Sequence, residues 1–168
     1  MKEINIEKLF EIAEDKVIEL EEALHTLSQL LNQDYEMRLF FFHPLVKPES
    51  KKRFFTVILP QAPKIFSDLM GFLFEKKLEK KIFWISKKFT EYISRKMNIN
   101  FVSVKTPYHL TDIEKKLIEE LIGGSVYLRI DIDPSVIGGL KLLTNNGKLY
   151  DLSIEGNLKK MREKIVYG

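Results

Sequence analysis

The sequence predicts a mainly α-helical fold: an N-terminal six-helix bundle over residues 1–97, then a small α+β C-terminal module over residues 98–168. Three observations carry that expectation. In the first part, apolar residues recur every three or four positions, the period of one helix face. Prolines at 44, 48, 60 and 63 cut that part into helix-sized pieces. From Ile99 the period shifts to two, the mark of strands.

The opening stripe is Ile6, Phe10, Ala13, Val17, Leu20, Leu24, Leu27 and Leu31. Its spacing alternates between four and three, which suits one helix or two in line. Asp15 marks a possible break, since short polar side chains favour caps and turns. Asn32-Gln33-Asp34 ends the run, and a short aromatic helix with Leu39, Phe40, Phe41 and Phe42 follows. His43-Pro44 stops it, because proline disfavours a helical residue before it. Pro48 suits the first turn of the next helix. Residues 63–76 predict another apolar-faced helix. Leu78, Ile82, Ile85, Phe89, Tyr92 and Ile93 predict a long one ending near Met97.

In the module, Ile99–Lys105 alternates as a strand, and Thr111-Asp112-Ile113-Glu114 is a capping box for a helix that ends at Gly123-Gly124. Ser125–Ile132 predicts a strand with Val126, Leu128, Ile130 and Ile132 on one face and Tyr127, Arg129 and Asp131 on the other. Leu140–Thr144 and Lys148–Leu152 predict a hairpin around Asn145-Asn146-Gly147. Ser153 caps a closing helix with Ile154, Leu158, Met161 and Ile165 on its apolar side.

With 168 residues, 45% hydrophobic and 30% charged, the chain can bury a sizeable core. It has no Cys, which excludes disulfides and thiolate metal sites. The first residues lack signal-peptide character. No run approaches the ~20 apolar residues that span a bilayer. The net charge of +3 is unevenly spread. Residues 1–46 carry −6, residues 47–96 carry +8, and residues 97–168 carry +1. Such asymmetry points to internal complementarity or to two partner faces.

No catalytic constellation emerges. His25, His43 and His109 lie in three separate segments without metal-ligand spacing. Asp131 and Asp133 share a strand face, yet Asp133-Pro134-Ser135 is ordinary turn chemistry. Gly123-Gly124 and Gly138-Gly139 belong to no phosphate-binding loop; helix termination or close backbone packing explains them. Lys76-Lys77, Lys80-Lys81 and Lys87-Lys88 surround Phe83, Trp84 and Phe89. This face over residues 76–96 supports an alternative reading, a nucleic-acid-binding helical protein, although no recognition motif accompanies it.

The tail carries a more specific pattern. Asp133-Pro134-Ser135-Val136-Ile137-Gly138-Gly139, then Asp151-Leu152-Ser153, then Leu158-Lys159-Lys160-Met161 stand in order. Near the front, Glu7-Lys8-Leu9-Phe10-Glu11-Ile12-Ala13, His43-Pro44 and Lys51-Lys52 add weaker marks. Together they resemble the delta subunit family of F-type ATP synthase, called in mitochondria the oligomycin-sensitivity-conferring protein. The hairpin departs from the family pattern. Leu152 stands where many bacterial members have Gly, and Leu140-Lys141-Leu142-Leu143 lacks the Arg common there.

The resemblance implies a non-catalytic peripheral-stalk (stator) subunit with no cofactor, no metal and no nucleic-acid partner. It would join the N-termini of the alpha subunits to the C-terminus of the b subunit and resist rotor torque, so that ion flow stays coupled to ATP synthesis. Its implied place is peripheral, on the cytoplasmic face of the bacterial inner membrane. Phe10, Glu11, Glu19 and Leu24 would contribute to alpha binding, with Phe10 or Leu24 buried. Asp133, Pro134, Gly138, Gly139, Asp151 and Ser153 would form the structural motif of the C-terminal module.

Overall fold

A computed structural model describes residues 4–158. Met161 and Ile165 of the predicted closing helix, with Lys159 and Lys160, lie outside that range. The chain divides into two compact units, Met1–Ile93 and Ser94–Gly168.

The first unit is helical. Helix α1 (Ile6–Ala13) begins at Asn5, whose side-chain oxygen accepts the Lys8 N–H at 3.2 Å. A single 3-10 turn, Glu14–Lys16, separates it from α2 (Val17–Gln33). The turn contains Asp15, but the backbone reversal sits at Glu14, with φ 47°. The apolar stripe runs through both helices, so the break redirects the chain without turning its greasy side to water. Helix α3 (Tyr35–Phe42) is capped by Asp34, which accepts the Met37 N–H at 2.9 Å. Helix α4 (Pro48–Ile58) has its proline in the first turn, where a missing N–H costs nothing. Helix α5 (Lys64–Glu75), a 3-10 turn at Glu79–Lys81, and α6 (Ile82–Met97) complete the set.

The core of this unit draws on rows of buried residues from several helices. Leu20, Leu24, Leu27 and Leu31 of α2 are buried, as are Ile82, Ile85, Phe89 and Ile93 of α6. Beside them, Phe41 packs edge-on against Phe55 at 5.1 Å and Phe74 at 5.3 Å, the geometry that aromatic quadrupoles favour. Lys51 is also buried, which its place in a Lys pair did not predict. Its ammonium meets Glu79 Oε1 at 3.4 Å and lies 5.4 Å from the Phe74 ring centre. Both partners offset part of the cost of removing the charge from water. Glu21 is buried as well, with the Thr90 hydroxyl of α6 donating to its carboxylate.

The second unit is built on a βαβ crossover. Strand β1 (Ile99–Thr106) runs parallel to β2 (Ser125–Ile132), and α7 (Asp112–Ile122) links them. Strand β3 (Lys141–Thr144) pairs antiparallel with β1, and β4 (Leu149–Asp151) closes a hairpin with β3. The order is β2-β1-β3-β4, which leaves β2 at an edge. The hairpin reverses where predicted, but its strands are shorter, lacking Leu140 and Leu152 at the open end and Lys148 beside the loop. Thr144 N–H donates to Lys148 O at 3.0 Å across a three-residue loop, and Gly147 takes φ 84°. The helix-facing core joins Val102, Val104, Leu110, Ile118 and Leu142. On the opposite face Phe101 carries Tyr127 beside it and the Arg129 guanidinium 4.6 Å from its ring centre.

Leu24 tests the first core. Truncation to Ala should cost about 2–5 kcal/mol in chemical denaturation. A cost below about 1 kcal/mol would mean that the α2 row is not a packed seam.

Candidate docking surfaces

The motif residues of the second unit are brought together, and they form a knot rather than a reactive centre. Asp133 Oδ1 accepts the Ser135 N–H at 2.9 Å and the Ser135 hydroxyl at 2.6 Å. Lys105 Nζ lies 4.0 Å from its other oxygen. The Ser135 hydroxyl and N–H, with the charges of Lys105 and Lys141, hold this carboxyl below its usual range. Pro134 continues the turn and fixes its entry.

The same Asp-x-Ser device recurs at Asp151. Its Oδ1 accepts the Ser153 N–H at 3.1 Å and the Ser153 hydroxyl at 2.5 Å. The Ser153 oxygen in turn accepts the Gly156 N–H at 3.0 Å and so caps the helix that begins at 154.

Gly138 and Gly139 join the two devices. Both have positive φ, 61° and 74°. Gly138 O accepts the Ile154 N–H at 3.2 Å, and Leu140 O accepts the Leu152 N–H at 2.9 Å. A Cβ on Gly139 would collide with the Leu152 carbonyl oxygen, and one on Gly138 with the Ile154 side chain. A Cβ on Gly156 would strike the Asp151 carboxylate. Sequence reading missed Gly156; a glycine three residues after a capping serine was the available signal.

The surfaces around these frames differ in chemistry. Helix α7 presents two apolar rows. One is turned inward, with Ile118 buried and Ile122 packed against the core. The other is Ile113, Leu117 and Leu121, spaced at one residue per turn and exposed at 73%, 58% and 50%. The capping box at its start is formed as expected, with Thr111 and Glu114 bonding reciprocally at 3.3 and 2.8 Å. The Thr111 N–H and hydroxyl, with the Tyr108 hydroxyl, donate to the Glu114 carboxylate and hold it below its usual range. On edge strand β2, Ile130 and Ile132 are also exposed, because α7 covers only the other end of that apolar face.

In the first unit, Glu11 and Glu19 are exposed on α1 and α2. Glu19 holds Lys16 at 3.1 Å and raises its pKa. Phe10 is half-buried, edge-on to Tyr92 of α6 at 5.3 Å. Leu24 lies in the core, so it is not available to touch a partner directly. Ile12, beside Glu11, is 68% exposed. Among the described residues, no group of three or more His, Asp or Glu is placed to hold a metal ion. Nor is any described helix long and apolar enough to cross a membrane.

Two predictions follow from the knot. Gly139→Ala should destabilise the second unit far more than Gly123→Ala, measured by hydrogen exchange of β3. Gly123 also has positive φ, at 78° with ψ 153°, but nothing within 4 Å of an added Cβ, so it isolates the backbone cost of about 1–3 kcal/mol. Equal effects would mean that the close approach is not real. The second concerns acid. A carboxyl held low in the folded state stabilises above its ordinary pKa, and that stability is lost as pH falls through the folded value. The second unit should therefore weaken as pH drops below 3.8, the ordinary value for Asp133. Asp133→Asn should flatten that slope, and an unchanged acid profile would contradict it.

Comparison with known proteins agrees with the geometry. The family model described as ATP synthase delta (OSCP) subunit matches residues 7–165. The sodium-ion-specific ATP synthase subunit delta of Propionigenium modestum is 30% identical over 165 residues, covering 95% of this chain and 92% of that one. That of Ilyobacter tartaricus is 30% identical over 171 residues, covering 96% and 94%. Among solved structures, a chain in the Toxoplasma gondii mitochondrial ATP synthase hexamer superposes with a TM-score of 0.55 at 17% identity, covering 97% of this chain, and so shares its fold. The chain belongs to the ATP synthase delta (OSCP) subunit family.

Proposed function

We propose that this protein is a non-catalytic stator subunit of a rotary F-type ATP synthase, holding the alpha/beta head to the b subunits against rotor torque. The observation that carries this reading is the outward row Ile113, Leu117 and Leu121 on α7. A row of large apolar side chains at helical spacing, left in water, fits an amphipathic partner helix. The C-terminal segment of a b subunit is that partner.

The acidic surface of α1 and α2, with Glu11, Glu19 and the exposed Ile12, receives the N-terminus of an alpha subunit. Phe10 supports that face from beneath, and Leu24 holds α2 in place behind it. The two faces lie on separate compact units, so each partner is bound without the other's surface being reused. Membrane association then comes through the complex, on the cytoplasmic face.

Calorimetric titration of the full chain tests both faces. Leu117→Glu should weaken binding of the b C-terminal segment about tenfold or more, since it places a charge in an apolar contact. It should leave the alpha peptide unaffected. Glu11→Lys and Glu19→Lys should each lower affinity for the alpha N-terminal peptide about threefold to tenfold, an effect that shrinks as salt rises. Unchanged affinities in folded variants would reject the assignment of the corresponding face.

A further inference from the structure

The outer side of α6 carries a feature that neither face above uses. Trp84 is the chain's single tryptophan, and it is 46% exposed. Lys80 and Lys81 lie one turn before it, Lys87 and Lys88 one turn after. The nearby carboxylates are already engaged. Glu79 meets the buried Lys51 at 3.4 Å, and Glu91 meets Lys88 at 2.7 Å. Among the described residues, Lys80, Lys81 and Lys87 have no ion-pair partner, and Lys80 and Lys87 are exposed. An exposed indole framed by cations is costly to leave bare and well suited as a binding anchor.

We infer that this face docks an acidic amphipathic protein segment, whose carboxylates meet Lys80, Lys81 and Lys87 while an apolar side chain covers Trp84. Charge complementarity selects the sign of the partner. Two details select protein over the other polyanions. Single-stranded nucleic acid is held by successive aromatic platforms. Here the adjacent Phe83 is half-buried and packs 6.3 Å from Phe42, which leaves one platform. An anionic membrane is gripped by inserting an apolar helix face. The apolar face of α6 (Ile82, Ile85, Phe89 and Ile93) is spent inside the bundle. This inference does not depend on the stator assignment, because it concerns a different surface and a different probe.

The lone tryptophan makes the test direct. The full chain is titrated, following Trp84 emission, with a helical peptide rich in Glu that carries Leu at every third or fourth position. A saturable blue shift is expected, weakening as salt is added. The double variant Lys80→Glu, Lys87→Glu should bind about tenfold more weakly or worse, because two attractions become repulsions. Circular dichroism confirms that it is folded. Three outcomes overturn the inference. These are no shift with the acidic peptide, an equal shift with the same peptide bearing Lys for Glu, or a stronger shift with oligothymidine or phosphatidylglycerol vesicles.

Discussion

The leucine row of α2 is the contact on which the first unit is built. Leu20, Leu24, Leu27 and Leu31 are all buried, as is a second complete row on α6, which the Thr90–Glu21 hydrogen bond ties to α2. A helix can turn only one face inward, so the outer sides of these helices are free to vary in charge. That freedom is used. The outer side of α1 and α2 is acidic, and that of α6 is basic around one tryptophan. The core fixes the helices, and the surface chemistry is written on what the core does not need.

Helix α7 departs from that economy, and the proposed b-subunit contact rests on the departure. It has apolar residues on two sides, one row packed on the sheet and the other in water. Exposed rows of this size are poorly tolerated in a free subunit. They are ordinary in a protein that spends its working life assembled. The rigid knot of Asp133, Gly138, Gly139, Asp151 and Ser153 holds the strands beneath that helix, and it does so through backbone approach rather than bulk. It is a frame, which is why paired acids and paired glycines in the tail read as turn chemistry and not as a catalytic site.

Much of this was legible in the sequence, and the reasons are local. Helix periods, the Thr111 capping box, the Ser153 cap and the Asn145-Asn146-Gly147 reversal depend on neighbours a few residues away. The misses depend on distant ones. Nothing near Lys51 in the sequence marks it as buried, but a core aromatic and a carboxylate 28 positions away draw it inside. Ile113, Leu117 and Leu121 could not be told from Ile118 and Ile122 by period, because both rows fit a helix and only the packed sheet decides which is inward. The same holds for β2, where perfect alternation hid that Ile130 and Ile132 run past their cover.

The central claim is that one chain holds two partners on two separate units. Its most direct test is the mass, by light scattering, of the full-length protein mixed with both the alpha N-terminal peptide and the b C-terminal segment. The account predicts a ternary complex with one of each partner per chain. Mutually exclusive binding, with either partner displacing the other, would contradict it.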